Sequence, residues 1–587
     1  MESVDVTIIG AGWSGLAALK TYHQVHPDAS IVLYDSAASV GGVWAKHRLY
    51  AGLKSNNMLG TYEFSDFPMD KSFGVQPGEH IPGHIIQTYM ERFLEHFHLT
   101  PFVHLNTQVL TAENNSDTTW TLTTRSNDTS RTIHTRKLIV CTGITSTPYL
   151  PVFGGQDTFH CPLFHTHDLP KHQSTLFHPP NRITVFGGTK SAWDAVYAAA
   201  TAGAHVDWVI RENGHGPVWM APAHVTPLGK WLEKLVTTRL LTWFSPCIWG
   251  DADGCSTIRT LLHNTRLGRK LVDAFWSILA DDVIKLNKYD SHPETAKLKP
   301  WISPFWIASG LSILNYPTDI FALITAGNVT VHIARIARLS LGTVHLSSGT
   351  DLPSNALIAA TGWQATPTIQ FHTAHSLGFP WSQDPIHQDI IHRADKEILS
   401  RFPRLRTPPP RSTPFAPLAP GAPATAKHPM RLSRFMVPPA LSESKSLVFL
   451  GLTMTINTTM IAQAQALWAT AYLSDELVLT PRERCPEDLR VKYGSDGSDM
   501  DLVWETALHS QFGVHRYRGG FGKRNPDFVF DAVPYVDLLL RDLGLGWTRK
   551  GALKWLVPYG VEDYRGLVEE WLQTDRVTSL KDGKKDV

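Results

Sequence analysis

Val4-Asp5-Val6-Thr7-Ile8-Ile9-Gly10-Ala11-Gly12-Trp13-Ser14-Gly15 is an apolar, β-branched run that stops in a glycine-spaced turn and continues as Leu16-Ala17-Ala18-Leu19-Lys20. Strand, tight turn and helix in that order form the fingerprint of a dinucleotide-binding fold. Gly10 makes the turn, Gly12 lets the backbone approach a pyrophosphate, and Gly15 lets the helix pack close to the strand. Phosphates then meet the free N–H groups and the positive dipole end of the helix. The next apolar run, Ile31-Val32-Leu33-Tyr34, ends in Asp35, where a carboxylate accepts the ribose hydroxyls of an adenosine.

A second turn of this kind follows Arg182-Ile183-Thr184-Val185-Phe186 at Gly187-Gly188-Thr189-Lys190-Ser191-Ala192, with a helix predicted over Ala195 to Ala202 and stopped by Gly203. The strand after it, His205 to Ile210, ends in Arg211 instead of an acid. A carboxylate there would repel a 2′-phosphate, whereas a guanidinium pairs with it in bidentate fashion, so this site prefers NADPH over NADH. Gly187, Thr189 and Ser191 are its backbone and hydroxyl candidates; Lys190 either joins the phosphate site or is a solvated lysine at a helix start. The fold class is therefore α/β with two Rossmann-like domains, one for each nucleotide.

At 587 residues the chain has room for several domains. It is 43% hydrophobic and 18% charged with a formal net charge of +1, which gives no reason to expect nucleic acid as a partner. Five scattered cysteines argue against a disulfide framework or zinc site, and with a strand almost at the first residue they fit a reducing, cytoplasmic setting without a signal peptide. The 28 histidines show no metal-ligand spacing. The most apolar stretches, 446–473 and 235–250, are broken by polar residues or too short for a membrane span. Trp231, Leu240, Leu241, Trp243 and Phe244 are read as a helix packed on the protein itself, with membrane contact the lesser alternative.

Between the two turns lie Gly41-Gly42-Val43-Trp44, then Lys54-Ser55-Asn56-Asn57, then Phe64-Ser65-Asp66-Phe67-Pro68. This succession resembles the flavin-containing and Baeyer-Villiger class of FAD- and NADPH-dependent monooxygenases. Gly42 with Trp44 behind it suits the approach of a flat isoalloxazine ring. Phe159, His165 and Thr166 fit the signature of the class, while Cys161 and Leu169 depart from it. Leu357 to Ala360 leading into Thr361-Gly362-Trp363 resembles the motif at which the class crosses between its domains. The Gly187-to-Asp194 loop and the helix of Pro534-Tyr535 resemble those of fungal tailoring enzymes of secondary metabolism.

The resemblance implies an FAD-binding part at 1–155, an NADPH-binding part at 156–217 and its return at 317–356, and a second FAD-binding part at 357–480. Residues 218–316 read as a tryptophan-rich helical insert that could wall a pocket, and 403–439 as an extended surface connection. Residues 481–587 read as a helical extension packed on the outside, with a charged tail from Lys581.

Two nucleotides on one chain imply hydride transfer from one to the other at contact distance. With no Cys-x-x-Cys to take the electrons onward, oxygen chemistry remains. The resemblance implies that oxygen adds at flavin C4a and that the hydroperoxide gives one atom to an apolar small molecule. It assigns the stabilising hydrogen-bond donor to Asn56, with Asn57 as competitor. Hydroxylation, epoxidation and Baeyer-Villiger insertion stay open, as do a flavin reductase or oxidase and a non-catalytic flavoprotein.

Overall fold

β1 (Glu2–Ile9) runs parallel to β2 (Ile31–Tyr34) on one side and to the strand Thr129–Val140 on the other, with α1 (Trp13–Val25) as the crossover. Parallel strands must be covered on both faces, and Val6 and Ile8 on one face and Thr7 on the other are fully buried. The computed structural model describes every residue except 1, 117, 226–229, 365–366, 374–376, 378–384, 411–427, 494–498, 552–553 and 583–587.

Thr129–Val140 has two uses. Its first half pairs antiparallel with Trp120–Ser126, part of a meander with Gln108–Asn114, and its end pairs parallel with Leu447–Phe449. All belong to one eight-stranded sheet. The second sheet is parallel throughout, in the order Val329–Ile333, His205–Ile210, Arg182–Phe186, Ala356–Ala359, Leu163–His165. Here one boundary must be corrected. The return to the first domain was expected from residue 357, yet Ala356–Ala359 pairs with Arg182–Phe186, and the crossing comes after it at Thr361-Gly362. A short buried apolar strand reads alike in either sheet.

The insert does not form a core of its own. One cluster unites Leu16 and Ile139 of the first domain, Trp249, Trp276 and Trp306 of the insert, and Trp504 and Tyr535 near the C-terminus. The second domain keeps a separate core around Trp193, Trp208 and Ile358. Leu241 is buried and Trp243 and Phe244 pack against the larger core. Among the described residues no helix is long and apolar enough to cross a membrane.

The C-terminal extension also needs correction, since it was expected outside. In the helix Met500–Arg516 the residues from Ala507 to Arg516 are all buried, and so is the helix Ala532–Asp542 from Ala532 to Leu540. Charges hide this in the sequence. Buried Arg239 grips Asp537 through both nitrogens, one at 2.8 Å, and buried Arg434 holds Glu505 and Asp542. Matched ion pairs let charged residues stand in a core that hydrophobic periodicity alone assigns to the surface. The proline-rich connection is corrected for the same reason: Met430 to Val437 are buried, with Arg431 and Arg434 among them, while 411–427 lie outside the described residues. The helix Leu567–Asp582 takes in the start of the expected tail; 583–587 lie outside the described residues.

Arg434 gives a direct test of this core. Its Nε donates to Asp542 at 2.6 Å, Nη1 to Glu505, and Nη2 to the Thr480 carbonyl at 3.1 Å. Lysine keeps the charge but not the planar fork, so Arg434→Lys should lower the unfolding free energy by about 2 kcal/mol. Chemical denaturation followed by tryptophan fluorescence reads it, and an unchanged midpoint would remove Arg434 from the stabilising set.

Candidate active site

The two glycine turns have the same construction. At Gly10 φ is +108° and a Cβ would stand 2.4 Å from the Cys141 carbonyl oxygen; at Gly187 φ is +140° and a Cβ would stand 2.4 Å from that of Ala360. Each turn is pressed against the end of the neighbouring parallel strand, which only glycine allows. The helices that follow, α1 and Lys190–Thr201, begin at Gly12 and Thr189 without a side-chain cap. Both starts open on one cavity of about 900 Å³ between the domains.

Around the first turn, Gly10, Gly12, Asp35 and Gly42 line the cavity. Asp35 accepts the Ala11 N–H at 2.6 Å and the Ala37 N–H at 2.8 Å, one on each oxygen, which fixes the carboxylate and leaves lone pairs toward the cavity. Gly15 stays behind, at the contact of α1 with the turn: a Cβ there would sit 1.8 Å from the Gly10 carbonyl oxygen. Trp44 is also set back. Its indole N–H donates to the Tyr62 hydroxyl at 3.1 Å, and Tyr62 is the residue on the wall.

Alternation along β3 (Lys54–Met58) separates the two asparagines. Asn56 lines the cavity and donates through Nδ2 to the Ser312 hydroxyl at 3.2 Å. Asn57 is buried on the opposite side, its Nδ2 shared between Glu233 at 2.8 Å and the Ile456 carbonyl at 2.9 Å.

At the second turn Thr189, Lys190 and Ser191 line the cavity. Lys190 meets neither expectation fully. It is paired with Asp194 and donates to Asn315 at 2.9 Å, so its charge is matched within the protein. Arg211 is exposed at the end of its strand, away from the cavity wall. Gly362 lies on the wall, whereas the Thr361 hydroxyl turns back to the Tyr149 carbonyl at 2.5 Å. That bond and the Pro148–Trp363 bridge tie the two interdomain crossings together.

Arg48, Tyr62, Ser312 and Glu233 were not picked out from the sequence. Arg48 lines the cavity with its guanidinium 5.0 Å from the centre of the Trp363 ring, and burial lowers its pKa to about 10. It stands four residues past Trp44, a spacing that could have drawn attention to it. Ser312 and Glu233 come from the insert and carry no local motif. The insert's tryptophans stay off the wall; Val218, Ser309, Leu311 and Ser312 are its share among the described residues.

These residues fit a flavin dinucleotide. A side chain at Gly12 or Gly42 would enter the space where their α-carbons face each other across the turn, and the uncapped start of α1 presents N–H donors there.

Residues 3–247 match the family described as flavin-binding monooxygenase-like. The chain is 33% identical to the FAD-dependent monooxygenase rstn6 of Aspergillus nomiae, over 98% of this chain and 99% of the relative. It is also 33% identical to the FAD-dependent monooxygenase resA of Aspergillus sclerotiorum, with the same coverage. Among solved structures it is similar to closed cyclohexanone monooxygenase, with a TM-score of 0.58 and 14% identity over 98% of both chains, a likeness of fold. Full-length identity to such relatives, on a site built from two glycine turns facing one cavity, places the chain in the family of FAD-dependent monooxygenases.

Proposed function

We propose that this enzyme binds FAD at the Gly10 turn and NADPH at the Gly187 turn, and oxygenates an apolar small molecule in the space between. The observation that carries the reading is the convergence of both turns and Asn56 on one cavity. A bound flavin supplies hydride acceptance from a nicotinamide and reaction with dioxygen. The chain does the rest. The start of α1 and Gly12 hold the pyrophosphate, Asp35 the adenosine ribose, and Thr189 and Ser191 the phosphates of the second nucleotide. Asn56 lines the cavity and spends one amide N–H on Ser312, which leaves its second N–H to stabilise charge developing on an oxygen atom. Leu311, Met454, Ile456 and Val529 supply apolar wall that limits water. The substrate we assign is a polyketide-like intermediate of secondary metabolism, as the resemblance of the Gly187-to-Asp194 loop implies, and the relatives in fungi fit that setting.

Anaerobic NADPH should bleach the flavin of the purified enzyme, and labelled dioxygen should appear in product by mass spectrometry over a panel of polyketide-like ketones and alkenes. Peroxide in place of product with every substrate would instead support an oxidase.

Arg211 is exposed just past the strand that follows the second turn, off the cavity wall, and its guanidinium is the group we assign to a 2′-phosphate. Arg211→Glu should raise the KM for NADPH by about 10- to 100-fold, from loss of a charge-assisted pair, and leave the KM for NADH little changed. Equal effects on both nucleotides would place the 2′-phosphate elsewhere.

A further inference from the structure

Glu233 is 2% exposed, in a short helix of the insert (Leu232–Leu235), and no Lys, Arg or His pairs with it among the described residues. Neutral donors hold it. Oε2 accepts from the Asn57 amide at 2.8 Å and Oε1 from the Met58 backbone N–H at 3.0 Å. The two grips fall on the residues directly after Asn56, in the strand that carries it to the cavity. The Asn57 amide also reaches the carbonyl of Ile456, itself a cavity residue, so one carboxylate links the insert, through Asn57, to two separate segments of the cavity wall.

We infer that Glu233 is a positioning residue whose ionised carboxylate sets the place of Asn56, so that taking up a proton there loosens the site that controls oxygen. This rests on the proposed role of Asn56 toward FAD. An ionised carboxylate accepts both N–H bonds at full charge, whereas protonation removes the charge and weakens the protonated oxygen as an acceptor for the N–H it holds. Burial raises the Glu233 pKa to about 7, while the Met58 N–H and the side chains of Thr61 and Asn57 pull it down, so the change falls in a working pH range. The other titratable groups at this junction are Lys234, exposed with its ammonium 4.5 Å from the Trp231 ring centre, and His80, which bonds the strand backbone at Asn56 and Asn57 and whose pKa burial lowers.

Two readouts test this. In the flavin-free protein, the infrared carbonyl band of a protonated carboxyl should fade as pH rises through about 7, and Glu233→Gln should lack it; the subtraction separates it from buried Asp527, whose pKa is also near 7. In the holoenzyme with NADPH and air but no substrate, peroxide release (NADPH, a proton and dioxygen giving NADP⁺ and hydrogen peroxide) should fall roughly tenfold over the same range, as the alignment of Asn56 is restored. The amide introduced by Glu233→Gln has one acceptor oxygen in place of two and takes only one of the N–H bonds, so in that variant release should stay high and flat with pH. A wild-type profile that is flat, a Glu233→Gln profile that keeps the wild-type inflection, or no band specific to Glu233 would each overturn the inference. Should Glu233→Gln fail to fold, the wild-type profile decides alone. Should NADPH not bleach the wild-type flavin, the nucleotide reading fails separately, and dithionite-reduced enzyme mixed with air at each pH still tests Glu233.

Discussion

Valine at Gly12 should give a folded protein that purifies without the yellow of a flavin. A Cβ at this position meets only the Gly42 backbone, its α-carbon at 3.5 Å, an ordinary contact, so the main chain has no reason to move. The added methyl groups instead occupy the cavity where a pyrophosphate must come close to the main chain. Displacing a phosphate from N–H donors at a helix start, or forcing overlap of this size, costs about 3 kcal/mol or more, a loss of roughly 100-fold in affinity. Gly15 makes the informative contrast. There the Cβ would lie 1.8 Å from the Gly10 carbonyl oxygen, so Gly15→Val should disrupt the packing of α1 on its strand and lower stability as well as flavin content. Flavin absorbance per protein, read beside circular dichroism and thermal melting, separates the two. A Gly12→Val protein that is fully yellow would remove the first turn from the flavin site.

Replacing Asn56 by alanine should leave flavin binding intact and uncouple the enzyme. The side chain faces the cavity and bonds Ser312, whereas its neighbour Asn57 is locked between Glu233 and the Ile456 carbonyl. Loss of one well-placed donor to a developing oxyanion costs about 100- to 1,000-fold in turnover. Product per NADPH should therefore fall by that order while NADPH is still consumed and hydrogen peroxide accumulates in its place. Equal product yields from Asn56→Ala and wild type would show that another group performs the task.

Much of the site was legible because the chemistry of a dinucleotide is local. Gly10 and Gly187 announce themselves by spacing, and Asp35, on the cavity wall, by standing at a strand end; Arg211, read the same way, stands off that wall. Asn56 was singled out through its distance from the Phe64-Ser65-Asp66 block, and alternation along β3 puts it, and not Asn57, on the cavity wall. What stayed hidden depends on contacts between distant segments. Ser312 on the wall and Glu233 behind it come from an insert about 175 to 255 residues away from the strand they bond, and nothing beside them in sequence marks that destination. The sheet to which Ala356–Ala359 belongs was equally beyond an apolar pattern. The burial of the last helices was masked by Glu505, Arg516 and Asp537, which read as surface until their ion pairs and hydrogen bonds are seen.

That last arrangement bears on how the chain is made. Arg239 leaves the ribosome long before Asp537 exists, and Arg434 before either Glu505 or Asp542. Until synthesis nears its end, the nascent flavin domain and insert carry unanswered guanidinium groups beside an open apolar face, a state that suits chaperone custody better than solitary folding. The C-terminal helices thus act as a closing piece: a chain cut short of them would be an unfinished enzyme rather than a smaller one.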